Sequence, residues 1–148
     1  MDTADELLDA IASLRRAIRR TAQRPVELAG LTGAQLELVR LLRRNPGLSI
    51  ADAARELRVA PNTVSTLVRQ LADAGLVSRE VDLVDRRVAR LSLEPAMQRK
   101  VEAWRDRRVE SLERALSTLS PLERKRVESV IPTLLQLGSE LEELLSAA

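Results

Sequence analysis

Apolar residues recur at helical spacing through most of the chain. From Asp2 to about Thr21, Leu7, Leu8, Ile11, Leu14 and Ile18 share one stripe. Asp2, Asp5, Glu6 and Asp9 lead and Arg15, Arg16, Arg19 and Arg20 trail, the order that suits a helix dipole. Arg24-Pro25 interrupts this pattern. Thr32-Gly33-Ala34-Gln35 has the spacing of a capping box and opens a helix carrying Leu36, Val39 and Leu42, which stops before Asn45-Pro46-Gly47. Ser49 caps a short helix with Asp52 in its first turn and Ile50, Ala53, Ala54 and Leu57 as its stripe. After Arg58-Val59-Ala60, Pro61 sits where a missing N–H does no harm, at the first turn of another helix. Its inward residues are Val64, Leu67, Val68 and Leu71, and Gly75 ends it. Two helices across a tight turn form a helix-turn-helix.

The period then changes. Leu76-Val77 and Val88 to Leu93 read as two short strands around the charged loop Asp82 to Arg87, a two-stranded wing. Glu94-Pro95 starts a long helix that includes Trp104, Val109, Leu112, Leu116 and Leu119. Ser120-Pro121-Leu122-Glu123 restarts helix with a cap, a proline and a reciprocal carboxylate. The last helix carries Val127, Val130, Ile131, Leu134, Leu137, Leu141 and Leu144, with Pro132 placed to bend it.

Composition agrees with a mainly α fold bearing a small β wing. The 148 residues suit one domain, Leu, Ala and Val supply most of the apolar content, and Trp104 is the only aromatic residue. The formal net charge of +2 says little about nucleic acid. The absence of cysteine excludes disulfides and thiol redox sensing. No stretch approaches the roughly 18 apolar residues of a membrane span. The expectation is therefore a cytoplasmic protein with no membrane partner.

Three apolar stripes lie outside the helix-turn-helix unit, in residues 1–24 and 95–148. Packing them against a second copy buries more leucine than one small protomer can, so a homodimer is expected; the alternative is a monomer that folds these helices onto its own core. A dimer sets two recognition helices about one duplex turn apart, matched to a palindrome.

From Leu31 to Leu93 the chain resembles the multiple antibiotic resistance regulator (MarR) family. The resemblance rests on linked elements: Leu31-Thr32 with Gln35; Leu48-Ser49 and Ala53 to Leu57; Val59 to Leu67; Leu71 with Gly75-Leu76-Val77 and Arg79; Asp82; Asp85-Arg86-Arg87; and Leu91-Ser92-Leu93. It implies a single MarR-like domain over residues 1–148, with a winged lobe at 32–93 and intertwined dimerisation helices at 1–24 and 95–148. It also implies a repressor of palindromic promoter DNA, associated with the nucleoid when bound to DNA and released by a small phenolic or lipophilic ligand. Ala60 departs from the pattern where Ser or Thr commonly caps the recognition helix, as do Glu94 for Thr and Met97 for Gly.

With Val64, Leu67, Val68 and Leu71 inward, the opposite face presents Pro61, Asn62, Ser65, Thr66, Arg69 and Gln70. Asn62, Ser65 and Arg69 lie close to one helical face and are the expected base readers: Asn62 can pair with adenine, Arg69 can bridge guanine or phosphate, and Ser65 can donate or accept at a base edge or phosphate. Pro61 can meet a thymine methyl. Thr63, Thr66 and Gln70 are expected at the backbone, although Thr63 can instead spend its hydroxyl on first-turn amides. In the wing, Arg86 or Arg87 is assigned to the minor groove or flanking phosphates, and Asp85 to positioning an arginine.

A family-like effector pocket implicates Leu14, Ile18, Leu36, Arg40, Trp104 and Arg108. Trp104 can stack on an aromatic ligand or fill a core or dimer seam, and Arg40 can neutralise an acidic ligand or form a surface ion pair. An enzyme is not expected: there is no His or Cys, no phosphate-cradling glycine loop, and no constellation of carboxylates. For the same reasons neither a metal nor another cofactor is expected. The rival from another class is an interaction module that kept the winged helix and lost DNA binding, for which Ala60 is the foothold.

Overall fold

The computed structural model describes residues 2–148. In chain order it contains α1 (Thr3–Thr21), a 3₁₀ turn (Val26–Leu28), α2 (Gly33–Arg44), β1 (Leu48–Ser49), α3 (Ile50–Leu57) and α4 (Pro61–Asp73). These are followed by β2 (Val77–Val81), β3 (Ala89–Leu93), α5 (Pro95–Leu116) and α6 (Pro121–Ala147). The chain divides into compact units at Met1–Arg107 and Arg108–Ala148, a boundary that falls within α5.

Local chemistry explains several of the helix ends in the first unit. The Thr32 hydroxyl accepts the Gln35 N–H at 3.2 Å while Gln35 Oε1 accepts the Thr32 N–H at 2.9 Å, a complete capping box. Ser49 caps α3 by accepting the Asp52 N–H at 3.1 Å. The turn between α3 and α4 places Arg58 at φ 54°, and Val59 N–H returns to Ala54 O at 3.1 Å. At the end of α4, Gly75 takes φ 73°, Leu76 N–H reaches Leu71 O and Gly75 N–H reaches Ala72 O, both at 2.9 Å. This is a Schellman motif, which recovers two terminal carbonyls of the helix and requires a residue tolerant of positive φ.

The core of this unit is entirely apolar. Leu28, Leu38, Val39, Leu42, Val64, Val68, Leu71 and Leu91 have essentially no exposed surface, and Leu93, Met97, Val101 and Trp104 close around them. The inward stripe expected for α4 is the buried one. Helix α2 buries Leu38 and Leu41 as well as Leu36, Val39 and Leu42, because it packs against α3, α4 and β3 at once. The 3₁₀ turn, absent from the sequence reading, exists to seat Leu28. Gln98 Nε2 donates to Arg43 O at 3.3 Å and to Glu102 Oε1 at 3.0 Å, and Arg43 meets Glu102 at 3.4 Å, so polar contacts join the end of α2 to α5.

The wing differs from the two-stranded reading. Its sheet has three strands in the order β1-β3-β2, all antiparallel neighbours, with Leu48 opposite Leu91 and Val77 opposite Leu93. A two-residue strand carries no alternation to detect, and β1 exists only because the edge of β3 is there to pair with. A second correction concerns α5: it ends at Leu116, so Leu119 lies in the turn before Ser120.

In the second unit, Ser120 and Glu123 form the expected capping box, with Glu123 N–H to Ser120 Oγ at 3.2 Å and Ser120 N–H to Glu123 Oε2 at 2.8 Å. That backbone donor holds the Glu123 carboxyl below its ordinary range. Arg124 reaches Glu113 at 3.1 Å and Glu128 at 3.3 Å. Helix α6 buries no residue in the protomer; Leu134, Leu137, Leu141 and Leu144 stay exposed, as do Leu8, Ile11 and Leu14 of α1 in the first unit.

Candidate nucleic-acid interface

Burying Val64, Leu67, Val68 and Leu71 turns the other face of α4 to solvent: Pro61, Asn62, Thr63, Thr66, Arg69 and Gln70 are exposed and Ser65 is half-buried. The start of this helix has Ala60 in extended backbone without a side-chain cap, and Pro61 at the first helical position. Thr63 and Val64 N–H still reach Ala60 O, at 3.0 and 3.3 Å, which closes the first turn.

The polar residues of this face are not equivalent. Thr66 donates its hydroxyl to Asn62 O at 3.1 Å, a bond within the helix. Gln70 Oε1 accepts Gln35 Nε2 at 2.9 Å, so the amide that completes the α2 cap also fixes the last turn of α4. Sequence reading missed this bond, because nothing local signals a contact across 35 positions. The side chains of Asn62, Thr63, Ser65 and Arg69 make no hydrogen bond or ion pair among the described residues. Asn62, Ser65 and Arg69 are the three that the sequence singled out for base edges.

The wing is joined to this helix by the packing of β2 on α4. Its loop is braced by side chains. Asp82 Oδ1 accepts the Val84 N–H at 3.1 Å and Asp82 Oδ2 accepts Arg90 Nη2 at 2.8 Å. The Val84 N–H, followed by the Arg90 guanidinium, holds the Asp82 carboxyl below the usual aspartate range. Asp85 Oδ1 accepts both Arg87 N–H and Arg87 Nε at 3.1 Å, and this side chain is the main reason the Asp85 carboxyl is also lowered. Arg86 is exposed and has no ion pair among the described residues. The wing therefore holds one arginine on an aspartate and leaves its neighbour open.

Other arginines are engaged. Arg55 pairs with Asp52, Arg40 with Glu37 at 3.1 Å, and Arg114 with Glu110 at 2.6 Å. Of the residues considered for an effector pocket, Leu36 and Trp104 are buried in the core, Ile18 is half-buried and Leu14 is exposed. The Arg24 guanidinium lies 5.9 Å from the centre of the Trp104 ring. Arg108 opens the second unit. A cavity of about 300 Å³ is lined by Pro25, Val26, Glu27, Lys100, Ala103 and Arg107, and none of the effector-pocket candidates Leu14, Ile18, Leu36, Arg40, Trp104 and Arg108 is among its lining residues. Glu27 and Lys100 form an ion pair at its wall, which lowers the Glu27 carboxyl. Among the described residues there is no cluster of three or more His, Cys, Asp or Glu suited to a metal, and no helix is long and apolar enough to cross a membrane.

Residues 29–88 match the MarR family model. The HTH-type transcriptional repressor Mb2911 of Mycobacterium bovis is 44% identical over 50 residues, 34% of this chain and 36% of that protein. The chain thus matches little more than a third of that repressor's length. The HTH-type transcriptional regulator ML2140 of Mycobacterium leprae is 30% identical over 138 residues, 93% of each chain. A MarR-like regulator from Thermotoga maritima superposes with a TM-score of 0.78 at 22% identity, covering 94% of this chain and 98% of that one. Streptococcus pneumoniae FabT, solved in complex with DNA, gives 0.75 at 21% identity over 93% and 96%. S. aureus MepR bound to ethidium bromide gives 0.63 at 25% identity over 91% and 96%. The helix-turn-helix, the braced wing and a relative aligned along nearly the whole chain agree, and the protein belongs to the MarR family of DNA-binding winged helix-turn-helix transcription regulators.

Proposed function

We propose that the protein is a homodimeric repressor that binds palindromic promoter DNA and is released by a small lipophilic or phenolic ligand. The observation that carries this reading is the open polar face of α4: Asn62, Ser65 and Arg69 are uncommitted beside a wing whose Arg86 is also uncommitted. In this reading α4 lies in the major groove, where Asn62 takes adenine, Arg69 takes guanine O6 and N7, and Ser65 adds a bond to a base edge. Pro61 meets a thymine methyl. Thr63, Thr66 and Gln70 meet phosphates, with Gln70 oriented by Gln35. Arg86 enters the flanking minor groove, while Arg87, held by Asp85, stays at its rim.

The domain organisation proposed is one MarR-like domain over residues 1–148, with the reading lobe at 32–93 and dimerisation helices at 1–24 and 95–148. The exposed leucines of α1 and α6 support a dimer, because apolar stripes of this length are otherwise left in water. A dimer also matches an inverted repeat with half-sites one helical turn apart. FabT was solved with DNA and MepR with ethidium bromide, and the likeness to both supports a DNA-binding, ligand-responsive reading. Release works by population shift: a ligand that binds more tightly to a dimer with altered lobe spacing disfavours the spacing matched to DNA. Leu14, Ile18, Leu36, Arg40, Trp104 and Arg108 are the residues proposed to line the ligand site.

The test is fluorescence anisotropy with the promoter nearest the encoding gene and a scrambled duplex, at two salt concentrations, for wild type and Arg69→Ala. Selective binding that loses its preference in the variant supports the reading. Equal weak binding to both duplexes, followed by a genome-wide fragment selection without an enriched site, overturns it in favour of a protein-interaction module.

A further inference from the structure

The tip of the wing carries two aliphatic residues in water. Leu83 is 96% exposed and Val84 is 95% exposed. Hairpin turns are ordinarily built from Gly, Asn, Asp, Ser and Pro. An adjacent Leu-Val pair with no intramolecular cover is a different choice. The turn that presents it is firmly built: Asp82 holds the Val84 N–H, Asp85 holds the Arg87 N–H, and Asp82 N–H reaches Val88 O at 2.9 Å. Both carboxylates that frame the pair are engaged by guanidinium groups, Asp82 by Arg90 and Asp85 by Arg87. Arg86 then leaves the tip positively charged beside the exposed apolar pair.

We propose that Leu83 and Val84 form an apolar wedge that enters the minor groove beside Arg86 and opens a pyrimidine–purine step at the flank of the half-site. The inference rests on the reading of α4 as the major-groove helix. The charge of the tip matches the negative potential of the groove, and β2 of the wing packs against α4. A minor groove about 6 Å wide admits such side chains, and apolar wedges partly unstack flexible TA or CA/TG steps. Contact with deoxyribose and base faces removes the pair from water, which phosphate contact alone does not do.

The experiment uses the full chain and its Leu83→Ser/Val84→Ser variant, whose fold is insulated because both side chains lie in solvent. The duplex is the site enriched by the fragment selection, with 2-aminopurine at the flanking step. Wild type should raise the 2-aminopurine fluorescence on binding. The variant should bind about tenfold more weakly with an unchanged salt slope and without the fluorescence rise, since no phosphate contact is lost. Wild-type affinity and fluorescence in the variant overturn the wedge while leaving selective DNA binding intact. Unchanged DNA binding together with lost retention on anionic phosphatidylserine vesicles also overturns it, and assigns the pair to a lipid surface. Absence of selective binding by wild type itself overturns the underlying reading and the wedge with it.

Discussion

Arg90 Nη2 meets Asp82 Oδ2 at 2.8 Å across the base of the wing loop, which links the last residue before the turn to the strand that leaves it. The same carboxylate accepts the Val84 N–H, so one ionised side chain organises both limbs of the hairpin. Its pKa is depressed in the fold, and its stabilising effect is therefore complete above the ordinary aspartate value of the unfolded chain and fades as pH falls through the lower folded value. Carboxyl NMR should show Asp82 titrating below ordinary aspartate. Arg90→Ala should move the midpoint upward but not fully back, because the Val84 amide remains. A midpoint unmoved by that substitution would remove Arg90 from the account.

The start of α4 has room for improvement. Ala60 has extended backbone geometry at the cap position and no oxygen to offer. Ala60→Ser should stabilise the protein by about 1 kcal/mol. Chemical denaturation would register this as a higher midpoint at unchanged slope. An unchanged midpoint would mean that the first-turn amides gain nothing from a cap here.

Gln35 serves two helices with one amide, its oxygen toward Thr32 N–H and its nitrogen toward Gln70. Gln35→Glu keeps the capping acceptor and loses the donor, whereas Gln35→Ala loses both. The alanine variant should cost about 1–2 kcal/mol and the glutamate variant less, since caps contribute about 1 kcal/mol and exposed neutral bonds sit at the low end of 0.5–1.5. Equal losses in denaturant titrations would show that only the bond to Gln70 matters.

The neighbouring arginines of the wing should respond differently to substitution. Arg86→Ala should weaken binding to many duplexes alike and lower the salt slope by about 1. Arg87→Ala also exposes the Asp85 carboxylate to the phosphates, and should be the more damaging change. Adding Asp85→Ala should then restore part of the affinity. Anisotropy titrations over a salt series distinguish these outcomes, and no recovery in the double variant would show that Arg87 contacts DNA in its own right.

The features legible along the chain are those governed by short-range chemistry. The caps at Thr32, Ser49 and Ser120, the stop at Gly75 and the inward stripe of α4 each involve groups within a few residues of one another. Their geometry follows from backbone sterics and helical periodicity before any tertiary contact exists. The motif of Asp85, Arg86 and Arg87 likewise pointed to the wing, and the open face of α4 to the residues proposed for DNA.

Tertiary structure decided what depends on surroundings. Leu38 and Leu41 are buried because α2 is enclosed on several sides, which a single-stripe pattern does not express. The two residues of β1 become a strand only through the edge groups of β3. Gln35 finds Gln70, and Arg90 finds Asp82, because folding brings together side chains whose separation in sequence carries no signal. Even between adjacent arginines, the distinction rests on geometry: the local turn brings Arg87 onto Asp85 and leaves Arg86 open, although the two residues have the same charge and the same chemistry.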